Sequence, residues 1–195
     1  MGVTVIKSPC GEAEKACAFL NLIGRCDGVI TDDSDVFLYG AKCVYKNFCM
    51  DKKSEIKIEK YSMEKIENDL GYTREHLIVL GLILGCDYDS NGVPGVGVAN
   101  ATKFLSELAE LNKTRPLDVL EIIRSWRKPD YKTNGLKYED RIRKIIVSNN
   151  QIVFPNEKII EEFMTMSKQS QILLSQEKYL KIIWKRPNLK DCQVS

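Results

Sequence analysis

A partial parallel α/β sheet followed by an all-helical region is the fold class that this 195-residue sequence predicts. Three observations predict it. Short β-rich runs alternate with helical stretches up to about residue 90, the pattern of strand–helix units. From Gly97 onwards only helical periodicity remains, punctuated by Pro116, Pro129, Pro155 and Pro187. The charge divides at the same place: residues 1–97 hold 11 Lys/Arg against 15 Asp/Glu, and residues 98–195 hold 18 against 12. An acidic half joined to a basic half fits nucleic-acid contact through the second, and it also fits two ordinary solvated faces.

The elements follow in order. "VTVIK" (3–7) is a short strand, and "SPCGEAEKACAFLNLIGR" opens with Ser-Pro and reads as helix to about Gly24. "DGVIT" (27–31) is a second buried strand, followed at once by "DDSD". "VFLYG" (36–40), "KCVYKNF" (42–48) and "EIKIEKY" (55–61) carry β-branched and aromatic residues, the last two in alternation. Ser62 precedes a helix to about Leu70, broken at Gly71, and Thr73 can cap a second helix to about Cys86. Helices are then expected over 97–111, 116–127, 138–149, 156–167 and 175–185, with "PDYKTNGLK" (129–137) as a mobile loop. The division falls between residues 1–90 and 91–195. Two or three strands and one helix cannot cover both faces of a parallel sheet, so the chain reads as the later part of something larger.

Composition removes several function classes. The longest apolar run, Leu77 to Leu84, is far short of the roughly 20 residues that span a bilayer, and no membrane partner is expected. The N-terminus has no basic region followed by an apolar stretch, so the chain reads as intracellular. Seven scattered cysteines without a CxxC pair fit reduced thiols rather than a disulfide framework. The single histidine, His76, lies within an apolar helix and reads as structural, which argues against zinc.

The stretch "GCDYDSNGVPGVG" (85–97) carries the most chemistry. A calcium loop counted from Asp87 needs Glu at its twelfth position, where Val98 stands, and a Walker loop needs Gly-Lys-Ser/Thr, which is absent. What remains is a turn, "GVPGVG", joining two helices. Its glycines allow close backbone approach, and the second helix offers free N–H groups to a phosphate; glycine-rich connections also serve packing alone. Asp87 at a helix C-terminus opposes the macrodipole, a local rule broken in the way functional sites break them. Asp33 and Asp35 lie just beyond a buried strand, two apart, and would face the same way in an extended segment. Glu12 and Glu14 follow the first strand, and taken alone they also fit surface acids that favour the helix dipole. Taken together, five carboxylates (Glu12, Glu14, Asp33, Asp35 and Asp87) at element ends make an oxygen-only donor set. Such a set selects Mg²⁺ or Mn²⁺, and two such ions serve phosphodiester cleavage.

At these residues the sequence resembles the flap-endonuclease/XPG superfamily, through "GEAEKACAFL", "GVITDDSDVFLYGA" and "LGCDYDSNGVPGVG". "DSDVFLYGA", "GVPGVG", "EKIIEEF" (157–163) and "WKRPNLK" (184–190) look most like its Holliday-junction-resolving GEN branch. The resemblance implies a PIN-like XPG-I nuclease core over 1–90 and a helix-hairpin-helix DNA-binding region over 91–195. It assigns Glu12, Glu14, Asp33, Asp35 and Asp87 to the metal site, with Asp32 as a neighbour. It implies a K⁺-type cation and a DNA phosphate at Gly92, Val93, Gly95, Val96 and Gly97. The family's basic residue just after the hairpin is absent, and Lys103 is the first cation available. Lys103, Arg124, Arg127, Lys128, Arg141, Arg143 and Lys144 are the expected DNA-binding cations. The family's N-terminal region, with further aspartates and a basic gateway, has no counterpart here, so Met1 would sit at an internal family position.

The expectation is therefore the C-terminal part of a GEN-like, structure-specific endonuclease. It would be nuclear, act on double-stranded or branched DNA in repair or recombination, and could dimerise on junction DNA. A flap or excision-type nuclease is the neighbouring reading. A DNA-binding fragment without activity of its own is the reading from another class, and the chain is expected to bind DNA better than it cuts it.

Overall fold

The computed structural model describes residues 7–48 and 58–176. The expected strand over 3–7 therefore lies outside the described residues, apart from Lys7. Helix α1 (Ala13–Leu22) is followed by β1 (Val29–Ile30), α2 (Asp35–Leu38), β2 (Cys43–Lys46) and β3 (Glu59–Ser62). Then come α3 (Met63–Leu70), α4 (Arg74–Leu84), α5 (Val98–Thr114), α6 (Val119–Ser125), α7 (Lys137–Ser148), α8 (Glu157–Met164) and α9 (Lys168–Ser175).

The sheet has the order β1-β2-β3 and is mixed. β1 runs parallel to β2, with Val29 opposite Val44, while β3 runs antiparallel, with Val44 opposite Tyr61. Asn21 fastens α1 to this sheet: its side-chain oxygen accepts the amide N–H groups of Lys42 and Cys43, and its amide donates to the Cys26 carbonyl. A buried side chain that satisfies three backbone groups at once fixes where the helix sits.

Among the described residues, "VFLYG" is the expected strand that folds otherwise. It forms the rest of α2 and its C-terminal cap, and just ahead of the helix Asp33 Oδ1 accepts the Asp35 N–H at 2.8 Å. Val36, Phe37, Leu38 and Tyr39 are all buried. A short apolar run buried all round carries no periodicity, so strand and helix look alike in it.

The caps expected for α3 and α4 are present. Ser62 Oγ accepts from Lys65 N–H, and Gly71 closes α3 at φ 73°, a left-handed value that costs glycine nothing. Thr73 and His76 form a capping box at the start of α4. α4 then buries His76, Ile78, Val79, Leu82 and Ile83. It packs against α2, α5, α6 and α8, so one apolar core contains residues from both sides of residue 90.

Among the later helices α5 to α8 lie where the sequence puts them, with shifted ends. α9 (Lys168–Ser175) is a helix the sequence reading does not expect, started where Ser167 Oγ accepts the Ser170 N–H and ended at Gln176, and the helix expected over 175–185 lies, beyond residue 176, outside the described residues. The 129–137 segment, expected to be mobile, is a loop anchored by Tyr131 and Asn134, both hydrogen-bonded to the buried Glu139. Among the described residues no helix is long and apolar enough to cross a membrane.

Candidate metal and nucleic-acid site

The acids gather where β1 ends, α2 begins and α4 has just finished. Asp35 is the first residue of α2, and its Oδ2 accepts the backbone N–H of Asp87 at 3.3 Å across 52 positions of sequence. Its carboxyl is held above the usual range, first by burial and then by the negative charges of Asp33, Asp87 and Glu14, while the Asp87 hydrogen bond opposes the rise. Four of the five expected acids thus share one electrostatic neighbourhood. Glu12, the exposed N-cap of α1, bears on the same corner through the hydroxyls of Tyr39 and Tyr88, whose ionisation its charge disfavours.

Asp33 and Asp35 are not side by side on an extended segment, because Asp35 is the first residue of α2 and its N–H turns back onto Asp33 Oδ1. Asp87 does not end a helix: α4 stops at Leu84, Gly85 turns the chain at φ 104°, and Cys86 pairs with Asp89 in a one-residue bridge. The macrodipole of α4 is therefore not what sets Asp87 apart. Asp87 is exposed, and its position depends on the loop around it. Asp32 turns away and accepts the Asn47 N–H, a structural role.

The donor set is all oxygen and suits a hard divalent cation, and added positive charge would oppose the burial and the repulsion that together raise Asp35. Among the described residues no three such side chains are close enough to enclose an ion as they stand.

The hairpin owes its shape to Gly92. At φ 57°, a Cβ there would lie 2.4 Å from the Ile83 carbonyl oxygen and 2.6 Å from the Gly85 nitrogen, both backbone. Val93 N–H donates to the same Ile83 carbonyl, and Val93 and Val96 are buried, so the turn is pinned to the end of α4. Gly95 and Gly97 stand on the outer crest, where a Cβ would meet nothing within 4 Å. Beside them α5 starts without a side-chain cap, leaving its first N–H groups open.

The seven expected cations divide into two groups. Arg124 forms a two-pronged pair with Glu157, Lys128 pairs with Glu121, Arg127 donates to the Asn149 and Ile152 carbonyls, and Arg143 donates to the Trp126 carbonyl. These four do structural work. Arg141 and Lys144 are exposed and make no ion pair among the described residues, and Lys103 is exposed with its Nζ 5.5 Å from the Tyr138 ring centroid. Lys137, which starts α7, sits over the same ring at 5.7 Å. It was missed by beginning the helix at 138, although its spacing of i, i+4, i+7 with Arg141 and Lys144 is visible in the sequence. Tyr39 and Tyr88 were also missed. Nothing local marks two tyrosines 49 positions apart as partners.

Comparison with known proteins follows this geometry. Residues 2–87 match the XPG I-region family. The human flap endonuclease GEN homolog 1 is 48% identical over 98 residues, which is 50% of this chain and 11% of that protein. Among solved structures, human GEN1 in complex with Holliday junction DNA aligns at TM-score 0.61 and 32% identity, over 89% of this chain and 43% of that one. The catalytic core of Rad2 in complex with DNA substrate aligns at TM-score 0.61 and 32% identity, over 85% of this chain and 52% of that one. The chain therefore spans about a tenth of the length of the human relative, and about half of each solved core. Residues 2–87 are thus an XPG I-region, and over most of its length the chain is similar in sequence and fold to GEN-type and Rad2-type nucleases of the flap-endonuclease/XPG superfamily.

Proposed function

We propose that this chain is part of a nuclear, structure-specific DNA endonuclease that hydrolyses phosphodiesters in branched DNA, Holliday junctions or 5′ flaps, during repair or recombination. The observation that carries the reading is the hydrogen bond from Asp87 N–H to Asp35 Oδ2, which joins the loop after α4 to the start of α2, with Gly92 holding a hairpin immediately beyond it. Glu12, Glu14, Asp33, Asp35 and Asp87 are the residues that would hold Mg²⁺ or Mn²⁺. Two such ions, when bound, activate water and stabilise the leaving oxygen.

The chain's own residues do the rest. The hairpin crest at Gly95 and Gly97 brings backbone close to a phosphate, and the open N–H groups of α5 face it. The carbonyls of Gly92, Val93 and Val96 are the candidates for a K⁺-type ion there. Val93 O already accepts the Val96 N–H at 3.1 Å, so it would share its second lone pair. Lys103, Lys137, Arg141 and Lys144 supply the exposed charge that follows the duplex, without reading bases. Selection among branched substrates then rests on shape, and two copies could meet on a junction.

The binding-module reading is favoured by the fact that no three described acids converge as they stand. One set of measurements separates the two. Mn²⁺ should raise the melting temperature, since a ligand of the folded state stabilises it, and Asp35→Ala with Asp87→Ala should erase the rise. Metal-dependent cutting of four-way junctions and 5′ flaps supports the nuclease, and the ratio between the substrates assigns the branch. DNA binding with neither metal response nor cutting supports the binding module.

A further inference from the structure

Asp87 is exposed, yet the residue after it is held. The hydroxyl of Tyr88 lies 2.6 Å from that of Tyr39, a direct hydrogen bond. Tyr39 directly follows α2, the helix that Asp35 opens. The two acid-bearing segments are thus joined twice, by Asp87 N–H on Asp35 Oδ2 and by the tyrosine pair. The first link is long at 3.3 Å and the second is short, so the tyrosines are the firmer of the two.

Both rings also meet one side chain from the helical half. Phe163 of α8 stands edge-on to Tyr39, with centroids 5.1 Å apart, and to Tyr88, at 5.6 Å. α8 is itself fixed to the acidic half. Lys15, beside Glu14, binds the Glu162 carboxylate at 2.6 Å and its carbonyl at 3.0 Å. Arg74 donates to both the Leu38 and the Phe163 carbonyls. Burial, the partner hydroxyl and nearby Glu162 and Glu12 all keep Tyr39 protonated, so a hydroxyl proton is always available to the bond.

We infer that Tyr39 and Tyr88, wedged by Phe163, are positioning residues that set Asp87 against Asp35 and so tune the hold of the acidic corner on divalent metal. The inference rests on the metal-site reading above. Its consequence is that α8, far along the chain, takes part in aligning acids contributed by α2 and the loop after α4.

The test compares Tyr39→Phe, Tyr88→Phe and the double variant with Tyr72→Phe. Tyr72 also loses a buried-side hydroxyl bond, to Ser106 and the Thr102 carbonyl, but away from the acids. Three readouts are taken: Mn²⁺ affinity by electron paramagnetic resonance of the free ion, amide exchange over residues 85–89 without metal, and urea stability. Tyr39→Phe and Tyr88→Phe should each weaken Mn²⁺ binding on the order of 10-fold, as loss of outer supports does. They should also speed exchange at 85–89, and the double variant should be no worse than either single. Tyr72→Phe should lower stability similarly and leave both other readouts unchanged. Wild-type affinity and exchange in the tyrosine variants, while Asp87→Ala abolishes binding, would overturn the inference and leave the metal site standing. No Mn²⁺ binding by the wild type would overturn both.

Discussion

The indole N–H of Trp126 donates to Glu139 Oε1 at 3.1 Å, and both side chains are fully buried. The same carboxylate accepts from Tyr131 Oη at 2.6 Å and from Asn134 N–H at 2.9 Å. A buried carboxylate survives only with its oxygens satisfied, and here they are satisfied by the loop that the sequence leaves free. Glu139→Ala should cost about 2–4 kcal/mol, because it strands the buried Trp126 N–H together with the part-buried Tyr131 and Asn134 donors. Glu139→Gln should cost less, since one oxygen remains. Urea unfolding gives the magnitudes, and limited proteolysis should show new cleavage within 129–137. Unchanged stability in the alanine variant would mean that water replaces the carboxylate.

Gly92 and Gly95 both have positive φ, at 57° and 85°, yet substitution should separate them. Alanine at 95 meets open space and carries only the left-handed backbone cost of roughly 1–2 kcal/mol. Alanine at 92 adds a collision with the Ile83 and Gly85 backbone, which cannot yield without undoing the end of α4. Its cost should exceed about 3 kcal/mol. Comparison of urea midpoints checks the order, and equal losses would show that the turn relaxes away from α4.

What the sequence makes legible is what local rules govern. Ser62, Gly71 and Thr73 mark α3 and α4 because caps act within a few residues. The acids after "GVIT" could be placed because a strand announces where its end lies, although β1 is only Val29–Ile30 and is not the buried strand expected, since Ile30 is exposed. α2 was illegible because Val36 to Tyr39 are buried on every side, which erases the period. The anchoring of 129–137 was hidden because Glu139 reads as an ordinary surface acid until Trp126 is folded over it. The Tyr39–Tyr88 pair, and the structural duties of Arg124 and Arg143, exist only in tertiary contact.

His76 makes a pH prediction. It is fully buried, its Nδ1 accepts the Thr73 N–H at 3.2 Å, and its Nε2 has no partner among the described residues. Burial holds its imidazole below the ordinary pKa, against a smaller opposing pull from Glu75. In the unfolded chain it titrates near 6.5. Below that pH the unfolded state takes a proton that the folded state refuses, so stability falls as pH falls; above it both states are neutral and the effect is absent. The wild type should therefore lose stability relative to His76→Asn below about pH 6.5, by at most about 1.4 kcal/mol per pH unit. Urea unfolding of both proteins between about pH 5.5 and 7.5 measures it. Parallel curves would show that the imidazole charges inside the fold.

The final prediction concerns which cations meet DNA. Lys137, Arg141 and Lys144 recur at i, i+4 and i+7, so they form one exposed stripe about 10 Å long on α7. Tyr138 joins the stripe to Lys103 on α5, six residues beyond the hairpin cap Gly97. Arg124 carries the same charge but spends it on Glu157 through three hydrogen bonds. Each phosphate contact contributes about −0.9 to the slope of log affinity against log salt. Replacing Lys137, Arg141 and Lys144 with alanine should therefore make that slope less negative by roughly 2–3, alike for unrelated duplexes. Arg124→Ala should leave the slope nearly unchanged and lower stability instead. A slope change from Arg124→Ala equal to that of a stripe residue would show that DNA displaces Glu157, and an unaltered slope in the triple variant would remove α7 from the interface.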